Sequence, residues 1–214
     1  MGEAEKRRPP GWVRRVLDLD AAVTKRFVQW GNGVSPLHSL RVHCKALEIT
    51  CHGIPWLAFW TAFTWLFNNP HLIELQVNML FGLVLDIIVV ALTKAYFRRR
   101  RPAGNRDDAF VQLGSDQFSF PSGHASRAVL VAYVFTRLWP LSFLFYPSIM
   151  AWVVALGMSR VLMERHYILD VIGGYGLGLI EGGLLGLLWI SDENARWLMS
   201  VVSDEKFEGG DYHV

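Results

Sequence analysis

Cysteine, net charge and polar interruption are scarce in this 214-residue chain. Two cysteines, Cys44 and Cys51, cannot build a disulfide framework or a four-thiolate zinc site. Charged residues make up only 19%, and 21 Lys+Arg nearly balance 19 Asp+Glu, so neither an acidic solvating tail nor a disordered regulator is expected. A cleavable signal peptide is not expected either. The basic start MGEAEKRRPP is followed by Arg14, Arg15, Asp18, Asp20, Lys25 and Arg26 instead of an apolar stretch. Lys6 stands where N-myristoylation wants Ser or Thr, which argues against lipidation at Gly2.

Hydrophobic side chains are plentiful at 52%, and they gather in long blocks. Between Asn78 and Lys94 the sole acid is Asp86. Such blocks read as membrane spans. Spans are expected over residues 75–97, 124–139 with Pro140 as the stop, 141–158 and 167–190. A weaker one covers 54–67, which reaches spanning length only by recruiting 46–53 and so brings Glu48 and His52 near a membrane face. Asn68-Asn69-Pro70 closes it.

Before these, Trp12, Val16, Leu19, Val23, Phe27 and Trp30 recur at steps of four and three, the pattern of an amphipathic helix. Lys25 and Arg26 would sit deep in the bilayer if this segment crossed it, so a position in the interface is favoured; packing on other helices is the alternative. Gly31-Asn32-Gly33 and Ser35-Pro36 end it. The expected fold is all-α: a polytopic membrane helix bundle of about five transmembrane helices plus an N-terminal interfacial amphipathic helix. Three parts follow: residues 1–45 with that helix, 46–190 as the membrane domain, and 191–214 as a tail in which Trp197 and Leu198 suggest a short surface helix.

Gly174, Gly178, Gly182 and Gly186 recur every four residues and predict close helix packing. The neighbour is another span of the same chain or, through the same stripe, a second protomer in a homodimer. Asp86 and Glu181 lie inside spans, where they either hydrogen-bond a partner helix or serve function.

Polar clusters fall at span ends: Lys94 to Pro102, Pro121-Ser122-Gly123-His124, and Ser159-Arg160 with His166 and Asp170. Hairpin connectivity puts all three on one membrane face. Arginine forks bind phosphate oxygens bidentately, and a helix start after Ser122-Gly123 aims free backbone N–H groups at an anion. His166 and Asp170, four apart, share a helix face, so the carboxylate can accept from one ring nitrogen and leave the other as a nucleophile. His124 remains as a general acid. Taken singly, the arginine run is a topology signal, Pro-Ser-Gly a helix start and each histidine a structural hydrogen-bonder.

Their order and spacing together (Lys, six residues, Arg-Pro; Pro-Ser-Gly-His; Ser-Arg, five residues, His, three residues, Asp) resemble the tripartite signature of the type-2 phosphatidic acid phosphatase superfamily, with every position filled. The stretch from Leu47 to Trp56, with Arg98 to Pro102 and Ser119 to His124, looks further like the subgroup of polyisoprenoid diphosphate/phosphate phosphohydrolases that includes presqualene diphosphate phosphatase. The resemblance implies a cofactor-free, metal-independent lipid phosphatase. In it His166 attacks phosphorus, Asp170 orients its ring, and Lys94, Arg101, Arg160, Ser122 and the Gly123 N–H hold phosphate oxygens. His124 protonates the leaving group and then activates water.

A membrane lipid phosphate is the expected substrate, an isoprenoid diphosphate or phosphate by the subgroup resemblance, with phosphatidate as the alternative. A catalytically inactive scaffold of the same fold is the rival class, but no phosphate ligand or nucleophile is missing. Nucleic-acid binding is not expected, because no recognition motif accompanies the arginine run. Nine Lys+Arg in residues 1–50 and five between Arg98 and Arg106 place the catalytic face in the cytosol. An endoplasmic reticulum or nuclear-envelope location is implied by the resemblance alone.

Overall fold

The computed structural model describes residues 10–34, 41–67, 69, 71–102 and 117–202. Ser35-Pro36, Asn68, Pro70, Arg106 and the tail beyond residue 202 lie outside the described residues. The helices are α1 Gly11–Gly33, α2 Arg41–Ile49, α3 Gly53–Leu66, α4 Ile73–Phe97, α5 Gly123–Tyr133, α6 Tyr146–Leu162, α7 Ile168–Leu187 and α8 Asp192–Val202. A π-helical turn, Val134–Leu138, extends α5, and a 3-10 turn, Phe143–Phe145, leads into α6. Among the described residues the extended pairing is a single antiparallel bridge, Arg100 with Phe118.

Ile73–Phe97, Phe143–Leu162 and Ile168–Leu187 are long and apolar enough to cross a membrane. The other two expected spans are shorter helices. α3 has 14 residues, about 21 Å at 1.5 Å per residue, and α5 has 11 before its π turn. Of the stretch 46–53, α3 takes in only Gly53, because the chain turns at Thr50-Cys51-His52 between α2 and α3.

The bundle is organised around α5, which packs on α4, α6 and α7. Its Leu130 and Val131, with the following Val134, meet Met79 and Leu83 of α4 and Leu185 of α7 in the main apolar core. The glycine stripe belongs to the α5–α7 contact. A Cβ at Gly174 would lie 2.5 Å from the Ser122 carbonyl oxygen, one at Gly178 would lie 2.3 Å from that of Ser126, and one at Gly182 would meet the Tyr133 ring. The stripe is therefore filled by the chain's own α5. The expected alternative of a homodimer through Gly174, Gly178, Gly182 and Gly186 is corrected, because a second protomer could reach these glycines only by displacing that helix.

The intramembrane acids also find partners on neighbouring helices. Arg127 of α5 pairs with Asp86 of α4 at 2.5 Å and donates to the Cys51 carbonyl at 2.9 Å, while Ser126 donates to Glu181 of α7 at 2.8 Å. One polar layer thus ties three helices and the α2–α3 turn together.

α1 forms where its periodicity predicts, and its apolar stripe faces outward, as an interfacial position requires. Its polar and small residues Asp20, Thr24 and Gly31 face the bundle with Val28, whereas Trp12 (71% exposed), Val16, Leu19 (65%), Val23 and Trp30 face outward. At the other end, α8 buries Ala195 against Ile73 and Val77 and leaves Trp197 exposed, as a surface helix does.

Close approach makes the glycines unequal. Gly178→Ala is expected to destabilise the bundle by about 1–3 kcal/mol through overpacking. Gly176→Ala, with nothing within 4 Å of its added Cβ, should be neutral or stabilising by up to about 1 kcal/mol. Thermal unfolding of the detergent-solubilised variants checks the contrast.

Candidate active site

Local structure delivers each motif to one end of the bundle. α4 ends just past Lys94, with Arg98 at left-handed φ 50° and its amide bonded to the Lys94 carbonyl at 2.9 Å. The arginine run then pairs back on the segment before α5: Ser119 donates to the Arg99 carbonyl through its N–H at 2.8 Å, and its hydroxyl lies 3.2 Å from that of Arg100. The Ser122 side chain accepts the Ala125 amide and caps α5. Between α6 and α7 a tight turn with Glu164 at φ 55° bonds the amides of Arg165 and His166 to the Arg160 carbonyl, at 3.0 and 3.3 Å. That turn sets His166 beside Ser119.

A cavity of about 260 Å³ is lined by Lys94, Arg101, Gly123, His124, Arg160 and His166, six of the eight residues expected from the sequence. The other two stand behind its wall. Ser122 and Asp170 are fully buried, and the Ser122 amide donates to the Asp170 carbonyl at 2.9 Å. The Ser122 oxygen accepts the Ala125 amide at 3.4 Å, which leaves its O–H as a donor.

His166 is 3% exposed, and its Nδ1 lies 2.7 Å from the Ser119 carbonyl oxygen. The Asp170 carboxylate is farther, at 3.8 Å, too long for a hydrogen bond but close enough to act through its charge. A carbonyl can only accept, so Nδ1 carries the hydrogen and the neutral ring keeps its lone pair on Nε2. The orienting acceptor is therefore a backbone carbonyl, where the spacing had suggested Asp170. Burial pushes the His166 pKa down to about 4, against the opposing pull of Asp170; Arg101 and Lys94 add to the lowering. The ring is neutral at pH 7.

Asp170 is itself held from several sides. Its Oδ2 accepts the Tyr167 amide at 2.8 Å, and its Oδ1 accepts Arg99 Nη1 at 2.7 Å. The second fork of Arg99, Nη2, reaches Asp20 of α1 at 2.6 Å, and the guanidinium lies 4.1 Å from the Tyr167 ring centroid. α1 also caps α7: Thr24 Oγ1 accepts the Ile168 amide and Asp20 Oδ1 the Leu169 amide, both at 3.1 Å.

Four further polar or charged side chains line the cavity without having been singled out for the site: Glu48, His52, Arg127 and Arg165. Glu48 pairs with Arg160 at 3.1 Å, and the His52 ring meets the His124 ring edge-on at 5.8 Å. The α2–α3 turn that carries His52 is clamped by Trp56 and Trp152, whose indole N–H groups bond Thr50, and by the Cys51 thiol donating to the His124 carbonyl at 3.4 Å. For Arg127 a signal existed: a cation three residues after His124, inside an apolar block, with Asp86 inside another. For Glu48 and His52 the signal was weaker, their nearness to a membrane face.

A bundle of apolar helices enclosing a pocket lined by four arginines, one lysine and three histidines defines a membrane protein built to hold an anionic group. The family model of the PAP2 superfamily matches residues 75–194, and the chain belongs to that superfamily. It is 33% identical over 138 residues to the probable lipid phosphate phosphatase beta of Arabidopsis thaliana, covering 53% of this chain and 65% of that protein. To the undecaprenyl-diphosphatase BcrC of Bacillus subtilis (strain 168) it is 25% identical over 162 residues, covering 69% and 78%. The chain thus spans just under two thirds of the plant relative's length. In fold it is similar to the crystal structure of a transmembrane PAP2-type phosphatidylglycerolphosphate phosphatase from Bacillus subtilis, with TM-score 0.56, 24% identity, and coverage of 81% of this chain and 86% of that one.

Between pH 6.5 and about 4 an unfolded histidine takes a proton that His166 in the folded protein refuses. The His166 contribution to stability therefore falls as pH drops through that window and changes no further below it. In His166→Gln this contribution vanishes. The variant's melting temperature should decline less than that of the wild type between pH 6.5 and 4, as measured by thermal unfolding in detergent.

Proposed function

We propose that the protein is an integral-membrane lipid phosphatase that hydrolyses isoprenoid diphosphates or phosphates through a phosphohistidine intermediate. The hydrogen bond from His166 Nδ1 to the Ser119 carbonyl carries this reading, because it leaves a neutral, buried ring with its Nε2 lone pair available at the cavity.

A phosphate in the cavity meets Lys94, Arg101, Arg160 and the start of α5 at Gly123. Nε2 attacks phosphorus, the N–P bond forms, and the bond to the leaving oxygen breaks as His124, protonated from solvent when the anionic phosphate binds beside it, donates that proton to the oxygen. Water then attacks phosphorus, gives its proton to His124, and breaks the N–P bond to release inorganic phosphate. His124 Nε2 is buried and has no hydrogen-bond partner among the described residues, as suits a group that awaits a ligand. Fixed cationic donors around the five-coordinate phosphorus stabilise charge without reorganising, the kind of contribution worth about 3–4 kcal/mol for one oxyanion-hole donor. No step calls on a metal.

Apolar Ile54, Ile87, Val90 and Ala91 form part of the same cavity lining, so a lipid can keep its tail among hydrocarbon while its phosphate enters. The isoprenoid preference is supported by the resemblance of Leu47–Trp56 and by the polyprenyl substrate in the name of BcrC. With α1 lying in the interface, the 1–45, 46–190 and 191–214 division describes a membrane domain flanked by surface segments. The arginine excess favours a cytosolic catalytic face, in the endoplasmic reticulum or nuclear envelope.

Phosphate release from farnesyl diphosphate by detergent-purified protein should persist in EDTA and disappear in folded His166→Ala. Residual turnover in that variant would overturn the nucleophile, and faster turnover of phosphatidate would reverse the substrate order. His124→Ala should lose least on substrates with good leaving groups; equal loss across a leaving-group series would remove its role as acid.

A further inference from the structure

The PAP2 signature passes over Arg99 and the whole of α1, yet both reach the catalytic segment. Arg99 Nη1 lies 2.7 Å from Asp170, and Nη2 lies 2.6 Å from Asp20, so one guanidinium fork spans two carboxylates. Both acids are buried, Asp170 fully and Asp20 at 6% exposure. The fork is steadied by its position over the Tyr167 ring. Asp20 has a second task, because its other oxygen accepts the Leu169 amide one residue before Asp170.

Removing Asp20's charge would leave Arg99 to pair with Asp170 alone. The guanidinium would then be drawn toward that carboxylate and would offset more of the negative charge that faces His166. We propose that Asp20 and Arg99 are positioning residues for catalysis: α1 supplies a carboxylate that shares Arg99 with Asp170 and so fixes the place and effective charge of Asp170 beside His166. This rests on the reading of His166 as nucleophile. It assigns α1 a part in the chemistry in addition to its part in packing.

The outward face of α1 fits this arrangement. Trp12, Val16, Leu19, Val23 and Trp30 are exposed on one side, with Arg14, Arg15, Lys25 and Arg26 exposed nearby, the composition of a helix lying on an anionic bilayer surface. The helix that meets the lipid surface is the one that holds the carboxylate.

Asp20→Asn keeps an oxygen for the Leu169 amide and loses the charge shared with Arg99. On farnesyl diphosphate its kcat should fall about tenfold or more with KM within about twofold, since the bound phosphate is untouched and the attacking group is misplaced. Asp20→Glu should recover part of the loss. Thr24→Ala removes the neighbouring cap on Ile168 and a long, 3.5 Å hydrogen bond to Asp20 Oδ1, and keeps both carboxylates that pair with Arg99. It should lower the melting temperature while kcat stays within about twofold of the wild type. Arg99→Lys, which keeps one charge but cannot fork to two carboxylates, gives an independent route to the same kcat loss should the Asp20 variants fold poorly.

The proposal is overturned if folded Asp20→Asn and Arg99→Lys both keep wild-type kcat. It is overturned equally if Thr24→Ala loses kcat by the same factor, since docking of α1 would then be the whole effect. His166→Ala runs alongside. An inactive His166→Ala beside a fully active Asp20→Asn refutes the role of α1 alone, whereas an active His166→Ala refutes the nucleophile reading and this inference with it.

Discussion

Backbone-close contact between α5 and α7 is the constraint on which the rest of the structure depends. Gly174 and Gly178 leave no room for a Cβ against the carbonyls of Ser122 and Ser126, so the two helices lie nearly in van der Waals contact along their main chains. That approach lets the Ser122 amide bond the Asp170 carbonyl and sets the start of one helix against the start of the other. His124 on α5 and His166 just before α7 consequently face one cavity. In a membrane, where lipid solvates apolar side chains as well as a neighbouring helix does, small residues and interhelical hydrogen bonds carry much of the packing. The glycine stripe and the Ser126–Glu181 and Arg127–Asp86 bonds supply both.

The site is made of groups held by other groups. His166 depends on a carbonyl from the segment before α5, and Asp170 depends on Arg99 and on the Tyr167 amide. Arg160 depends on Glu48, across the bundle in α2. Lys94, Arg127, Arg160 and Arg165 are buried, so their fixed charges act at low dielectric. The α2–α3 turn completes the enclosure: it is short, polar and clamped by two tryptophans, and it brings His52 to the edge of His124.

Helix positions were largely legible in the sequence, because apolar blocks and a 3.6-residue period report on local geometry. The segments expected at 75–97 and 167–190 correspond to α4 and α7, and the amphipathic stretch at 12–30 corresponds to α1. Less legible was what each face meets. In α1 the apolar stripe looks outward and the polar side, with Asp20 and Thr24, docks. Periodicity marks two faces, but that Asp20 and Thr24 meet the start of α7 is decided by where the helix sits.

Motif spacing alone determined that Lys94, Arg101, Gly123, His124, Arg160 and His166 would gather at one end of the bundle, because each lies at the end of an apolar block and consecutive blocks must reverse direction. It also supplied the chemical type of the site, since that set of cations and imidazoles suits a phosphoryl group. The tertiary structure decided which atoms hold which. It gave Nδ1 of His166 to the Ser119 carbonyl and closed the glycine stripe with α5. It also placed Glu48, His52 and Arg127 at the cavity and linked Asp20 to Asp170 through Arg99. These pairings join residues far apart in the chain, up to 149 positions for Leu169 and Asp20. Hydrogen bonds of that kind are set by the relative placement of whole helices, which no local pattern of residues encodes.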